Sequence, residues 1–136
     1  MNNTKQISHK TLKAGFSLIE IVVVIMIIGI LMAVVVPNAY RWVVSGRENA
    51  AKASMRALEN AIDAYHGEKG SYPKTLEDLI TAKPPYLKKS EVPKDPWGNE
   101  FQYKITPGAD HPYELYSYGP NGEAAPSEER IDVWTI

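Results

Sequence analysis

The chain has 136 residues, no cysteine, and 15 basic against 16 acidic side chains, for a formal net charge of −1. That length leaves room for one small domain, and the lack of cysteine removes disulfide scaffolds, thiolate metal sites and cysteine nucleophiles. The charge is uneven: residues 1–15 carry Lys5, Lys10 and Lys13 without an acid, so the rest holds 12 bases against 16 acids. A mildly acidic body with no basic patch argues against nucleic acid as a partner.

The first element is a 21-residue apolar run from Phe16 to Val36, interrupted by Ser17, Glu20 and Gly29. As a helix rising ~1.5 Å per residue it spans about 31 Å, the thickness of a bilayer core. The three lysines before it place the N-terminus in the cytoplasm and send the remainder across the membrane. A cleaved secretory signal fits poorly, because its apolar core is shorter and a small-x-small site follows it, whereas VVVPNAYR follows here. Glu20 is the anomaly. A charge well inside hydrocarbon costs at least ~2.5 kcal/mol, which marks it as a functional candidate. The alternative is an ordinary signal anchor whose Glu20 snorkels to the interface.

Past Pro37, which with Gly29 marks a place where the helix can kink, helical periodicity resumes. Ala51, Met55, Leu58, Ile62 and Tyr65 recur at spacings of three and four, while Arg47, Lys52, Arg56, Glu59 and Asp63 take the other faces. The spacing predicts a long helix ending near His66-Gly67, with Gly70-Ser71-Tyr72-Pro73 as the stop. Thr75-Leu76-Glu77-Asp78 reads as the capped start of a short helix to about Thr81, and residues 82–87 as a loop. In DPWGNEFQYKI, Asp95-Pro96 and Gly98-Asn99 supply turn chemistry, and Phe101, Tyr103 and Ile105 alternate as a strand does. Residues 106–112 form a loop, Tyr113–Tyr118 a second strand, GPNG (119–122) a turn and Ile131–Trp134 a third strand. The fold class is α+β: one long N-terminal helix, transmembrane in its first half, with a small antiparallel β-sheet head on its second half. Three short strands make a core modest enough that the head depends on that helix.

Two stretches carry a family likeness. Gly15 at the border of the basic leader, followed by Phe16-Ser17-Leu18-Ile19-Glu20 and the apolar run, resembles the processing signal of the type IV pilin-like superfamily. DPWGNEFQY, then YELYSYGPNG and a closing D-x-W, is similar to the major-pseudopilin family of type II secretion systems, where D-P-W-G-N-P-Y-x-Y precedes a strand, a G-A-D-G turn and D-I-x-x-W. The likeness spans nearly the whole chain after Gly15. The 15-residue leader is longer than is typical of the family.

The resemblance implies a leader at 1–15, a transmembrane and assembly helix at 16–37 and a periplasmic head at 38–136. A prepilin peptidase cuts between Gly15 and Phe16 and N-methylates Phe16. The Phe16 amine then pairs with Glu20, within one subunit or between neighbours, and sets the register of a helical homopolymer. The implied partners are further copies of the chain, minor pseudopilins, the inner-membrane secretion platform and secreted exoproteins. Within the superfamily, a surface pilin for adhesion, motility or DNA uptake is the alternative. A substrate-binding module and a membrane-anchored enzyme are more distant readings.

The same resemblance implies calcium in the loop before the last strand, held by the Tyr118 carbonyl, Asn121, Glu128 and Asp132, with Glu123 and Glu129 also at hand. Hard oxygen donors in a flexible loop suit Ca²⁺. Asn121 stands where the family has an acid. The other expected closure is internal, with Arg130 holding the acids. His9, His66 and His111 are scattered without ligand spacing, and no phosphate loop, serine elbow or paired catalytic acids occur, so no enzyme activity is expected. Trp97 and Trp134 read as core residues, and Trp42 as an interface or intersubunit residue.

Overall fold

The computed structural model describes residues 15–136, and the leader expected at 1–15 lies outside them except for Gly15. The elements run α1 (Leu18–Lys69), α2 (Asp78–Thr81), β1 (Gln102–Ile105), β2 (Tyr113–Ser117) and β3 (Ile131–Asp132), with 3-10 turns at Gly119–Asn121 and Ser127–Glu129. The chain divides into two units, one through Tyr40 and one from Arg41 to Ile136, and α1 runs through both.

In the first unit α1 is long and apolar enough to cross a membrane, and its most apolar window has no buried residue. The large side chains there, from Leu18 through Val36, are exposed. Pro37 lies inside the helix without breaking it. Proline has no N–H, so the Ala33 carbonyl loses its usual helical donor, and beside it the Asn38 amide donates to the Val34 carbonyl at 3.0 Å.

In the second unit α1 builds one wall of the core. Ala51, Met55, Leu58, Ala61 and Ile62 are buried, the stripe expected from the periodicity with Ala61 added and Tyr65 at its margin. The opposite wall comes from Leu76 and Leu79 around α2, Phe101 before β1, Tyr113 and Leu115 on β2, and Val133. The helix runs to Lys69, two residues past the expected His66-Gly67 end, and its stop falls at Gly70 as the sequence suggests. The left-handed conformation that stops it falls at Gly70 (φ +73°), whose N–H caps the His66 carbonyl at 2.8 Å, and Gly67 remains helical. At α2 the Asp78 carboxylate accepts from the N–H groups of Lys74 (2.9 Å) and Thr75 (3.0 Å), and only Asp78–Thr81 are helical.

The sheet is antiparallel, in the order β1-β2-β3. Tyr103 faces Leu115 and Ile105 faces Tyr113; along β2, Tyr113, Leu115 and Ser117 turn inward while Glu114 faces out. β3 is two residues long, against four expected. The Val133 N–H still donates to the Leu115 carbonyl at 3.0 Å; beyond it the Asp132 carboxylate accepts the Trp134 N–H at 2.9 Å and its carbonyl the Thr135 N–H at 3.2 Å, a turn that takes the chain out of the ladder. Trp134 packs against the core and donates its indole N–H to the Tyr113 carbonyl at 2.8 Å, while Trp97 is only partly buried and Trp42 is 77% exposed.

Candidate functional site

The head of the apolar helix is organised by Ser17 and Glu20. The Glu20 carboxylate accepts the Ser17 N–H at 2.8 Å, and the Ser17 hydroxyl accepts the Glu20 N–H at 3.2 Å. Leu18 opens the helix, so Ser17 is its N-cap and Glu20 its third residue. This reciprocal pair is a capping box, and it satisfies two of the helix's orphan donors. The acid therefore has a partner within its own chain and lies at the positive end of the helix dipole. The signal for it, S-x-x-E before an apolar run, stands in the sequence at Ser17-Leu18-Ile19-Glu20.

Gly15 and Phe16 precede the helix, and Phe16 is 86% exposed. Among the described residues, a methyl group at Gly15 would meet nothing within 4 Å.

In the second unit the D-P-W-G-N segment is a closed turn. The Asn99 carbonyl accepts the Asp95 N–H at 2.8 Å, the Asp95 carbonyl accepts Gly98 N–H at 3.0 Å, and Lys94 and Glu100 bridge behind it. Asp95 is 4% exposed. One of its carboxylate oxygens accepts the N–H groups of Trp97 (3.1 Å) and Asn99 (2.8 Å), and the other accepts the Ser117 hydroxyl at 2.7 Å. Ser117 in turn accepts the Gly119 N–H at 3.1 Å. The turn motif thus reaches across to the start of the β2–β3 loop.

That loop holds the expected calcium ligands. The Asn121 amide nitrogen donates to a Glu129 oxygen at 2.7 Å, and Glu128 is exposed. Asp132 gives one oxygen to the Trp134 N–H, and Tyr118 is the N-cap of the first 3-10 turn. Among the described residues no three His, Cys, Asp or Glu side chains gather as a metal-holding group. Arg130 does not hold the acids. Its guanidinium carbon lies 5.0 Å from the Tyr116 ring centre and 5.5 Å from that of Tyr118, and the ion pair found among the described residues is Arg56–Glu59 at 2.8 Å. As they stand, Asn121 is turned to Glu129, Asp132 to the Trp134 N–H, and a guanidinium lies on the Tyr118 ring. The Tyr118 hydroxyl is shifted up by burial first, then by Tyr116 and the Glu123 carboxylate, with Arg130 opposing.

A long helix, exposed over its apolar part and roofed over its polar part by a three-stranded antiparallel sheet, is the build of a pilin-like subunit. The family profile described as type II secretion system (T2SS), protein G matches residues 40–135, and that of the prokaryotic N-terminal methylation motif matches residues 10–36. The chain is 40% identical over 136 residues to the type II secretion system core protein G of Escherichia coli, covering 90% of this chain and 91% of that one. It is 37% identical over 135 residues to the core protein G of Pseudomonas aeruginosa, covering 89% and 93%. The crystal structure of the major pseudopilin of enterohaemorrhagic Escherichia coli superposes with a TM-score of 0.56 at 26% identity, covering 68% of this chain and 86% of that one. The chain belongs to the protein G family of the type II secretion system.

Proposed function

We propose that this chain is the major fibre-building subunit of a type II secretion pseudopilus. It enters the inner membrane with its N-terminus cytoplasmic and its head periplasmic. A prepilin peptidase removes residues 1–15 and methylates the Phe16 amine, leaving residues 16–37 as the assembly helix and 38–136 as the head. Subunits then polymerise, with minor pseudopilins and the inner-membrane platform, to help move folded exoproteins across the outer membrane. Family membership supports the fibre role.

The observation that carries the reading is the capping box at the mouth of an uncovered apolar helix. It fixes the Glu20 carboxylate within the first turn, where the new Phe16 amine would stand. A carboxylate already held by Ser17 needs no side-chain reordering to meet a cation, whether its own terminus or a neighbour's. Gly15 leaves room for the cut, since among the described residues no packing contact calls for a glycine there.

The test is N-terminal mass spectrometry of the chain produced beside a prepilin peptidase. We expect a monomethylated Phe16 start, unprocessed precursor from Gly15→Leu, and a processed, membrane-inserted but unpolymerised product from Glu20→Val. A mature start beyond residue 30, or normal fibres from Glu20→Val, overturns the reading.

A further inference from the structure

The segment from Gly122 to Asp132 carries Glu123, Glu128, Glu129 and Asp132 with a single cation, Arg130. Solvated acids would leave such a loop open, yet it is closed at three points. Gly119 turns with φ +73°, and a Cβ there would stand 3.3 Å from the Glu129 carbonyl, so the two ends of the loop nearly touch. Asn121 bonds Glu129 across it at 2.7 Å.

Arg130 is the third closure. Tyr116 lies on β2 and Tyr118 just past its end, as N-cap of the following 3-10 turn; both are half-buried, and their rings meet edge-on at 5.6 Å. The guanidinium lies over both rings, and its Nε is buried without a hydrogen-bond partner. A planar, weakly hydrated cation suits that seat, because it stacks on aromatic faces and loses less hydration than an ammonium does. The charge lies against Tyr118, the residue whose carbonyl heads the expected calcium ligands. A divalent cation drawn there would share partly desolvated space with a fixed positive charge.

We propose that Arg130 is the resident cation of this loop, seated on Tyr116 and Tyr118, and that it closes the head without calcium. Asn121 fits the arrangement: an amide can donate to Glu129, which a carboxylate in its place could not.

The experiment is thermal unfolding of the full chain in detergent, followed by near-ultraviolet circular dichroism, in millimolar calcium and in chelator. A calcium ion bound at a hundred times its dissociation constant would raise the melting temperature by on the order of 10 °C for a head of this size. We expect no difference between the two conditions. Arg130→Gln should lower the melting temperature by roughly 5–10 °C in both, given a cation–π contact and its desolvation, and Tyr116→Leu should lower it by less, again without calcium dependence. Asn121→Asp alone should stay indifferent to calcium, whereas Asn121→Asp with Arg130→Gln should gain a rise in calcium. A calcium response in the unmodified chain, an unchanged melting temperature for Arg130→Gln, or a full calcium response from Asn121→Asp alone overturns the proposal. The result is independent of whether the fibre role holds, since no step of it requires polymerisation.

Discussion

Asp95 should be the most sensitive polar position in the head. Its carboxylate accepts three hydrogen bonds at 2.7–3.1 Å while 4% exposed, and it links the turn at 95–99 to Ser117 and, through it, to Gly119. Hydrogen bonds to a charged group contribute ~1.5–3 kcal/mol each, and every orphaned buried partner adds a desolvation penalty. Trp97 and Asn99 are only part-buried and their N–H groups can recover water, so the loss from Asp95→Ala is about 3–5 kcal/mol, well below the sum of three full bonds. Domains of this size hold ~5–15 kcal/mol in all. At ~4–8 °C per kcal/mol the melting temperature should fall by roughly 15–30 °C. Asp95→Asn keeps an oxygen for both backbone donors but presents an NH₂ to the Ser117 hydroxyl, so it should lose only ~1–3 kcal/mol. Ser117→Ala should fall in the same range, and combined with Asp95→Asn it should cost less than the sum, because both act on one bond. The assay is thermal and urea unfolding of the full chain in detergent. If Asp95→Ala melts within a few degrees of the unmodified chain, or if asparagine is as damaging as alanine, the network does not hold the turn as described.

Tyr113 is 1% exposed and its hydroxyl has no partner, so Tyr113→Phe should leave stability unchanged or raise it by up to ~1 kcal/mol, read as the urea midpoint. Burial pushes the Tyr103 hydroxyl up to about 12 and shifts that of Tyr113 up as well, so the folded state keeps protons that the unfolded chain releases above about 10. Their contribution is complete below about pH 10 and is lost as pH rises toward about 12, so the urea midpoint should be level at neutral pH and fall through that window. The substitution Tyr103→Phe should flatten the fall.

Much of this architecture can be read from periodicity. The stripe Ala51, Met55, Leu58, Ile62 faces the core because its spacing demands it, and the inward set of β2 follows from strict alternation. Boundaries set by one side chain are harder. The stop at Gly70 is legible, but the last helical turn is not: Gly67 stays helical and the helix runs on to Lys69. β3 ends early because Asp132 turns back to the Trp134 N–H, a local competition that a run of strand-forming residues conceals. At Glu20 the oddity of a charge in an apolar run is the louder signal, and it hides the capping box written in the same four residues. The seat of Arg130 depends on register. Four acids are closer in sequence than either tyrosine, and the rings become its neighbours only once β2 and the 3-10 turn after it set Tyr116 and Tyr118 side by side.

The part of α1 before Ala51 has no buried residue within the chain. Substituting Val23 or Ile27 should therefore leave no trace in the unfolding of a single subunit, yet each could alter how it sits among lipids or beside further copies. A mutational scan read twice, once by folding of the monomer and once by polymer yield, should separate into two nearly disjoint sets of positions along one helix. Selection on the first set is intramolecular; on the second it can act only through other molecules. One backbone thus carries two codes, and tolerance measured for one says nothing about the other.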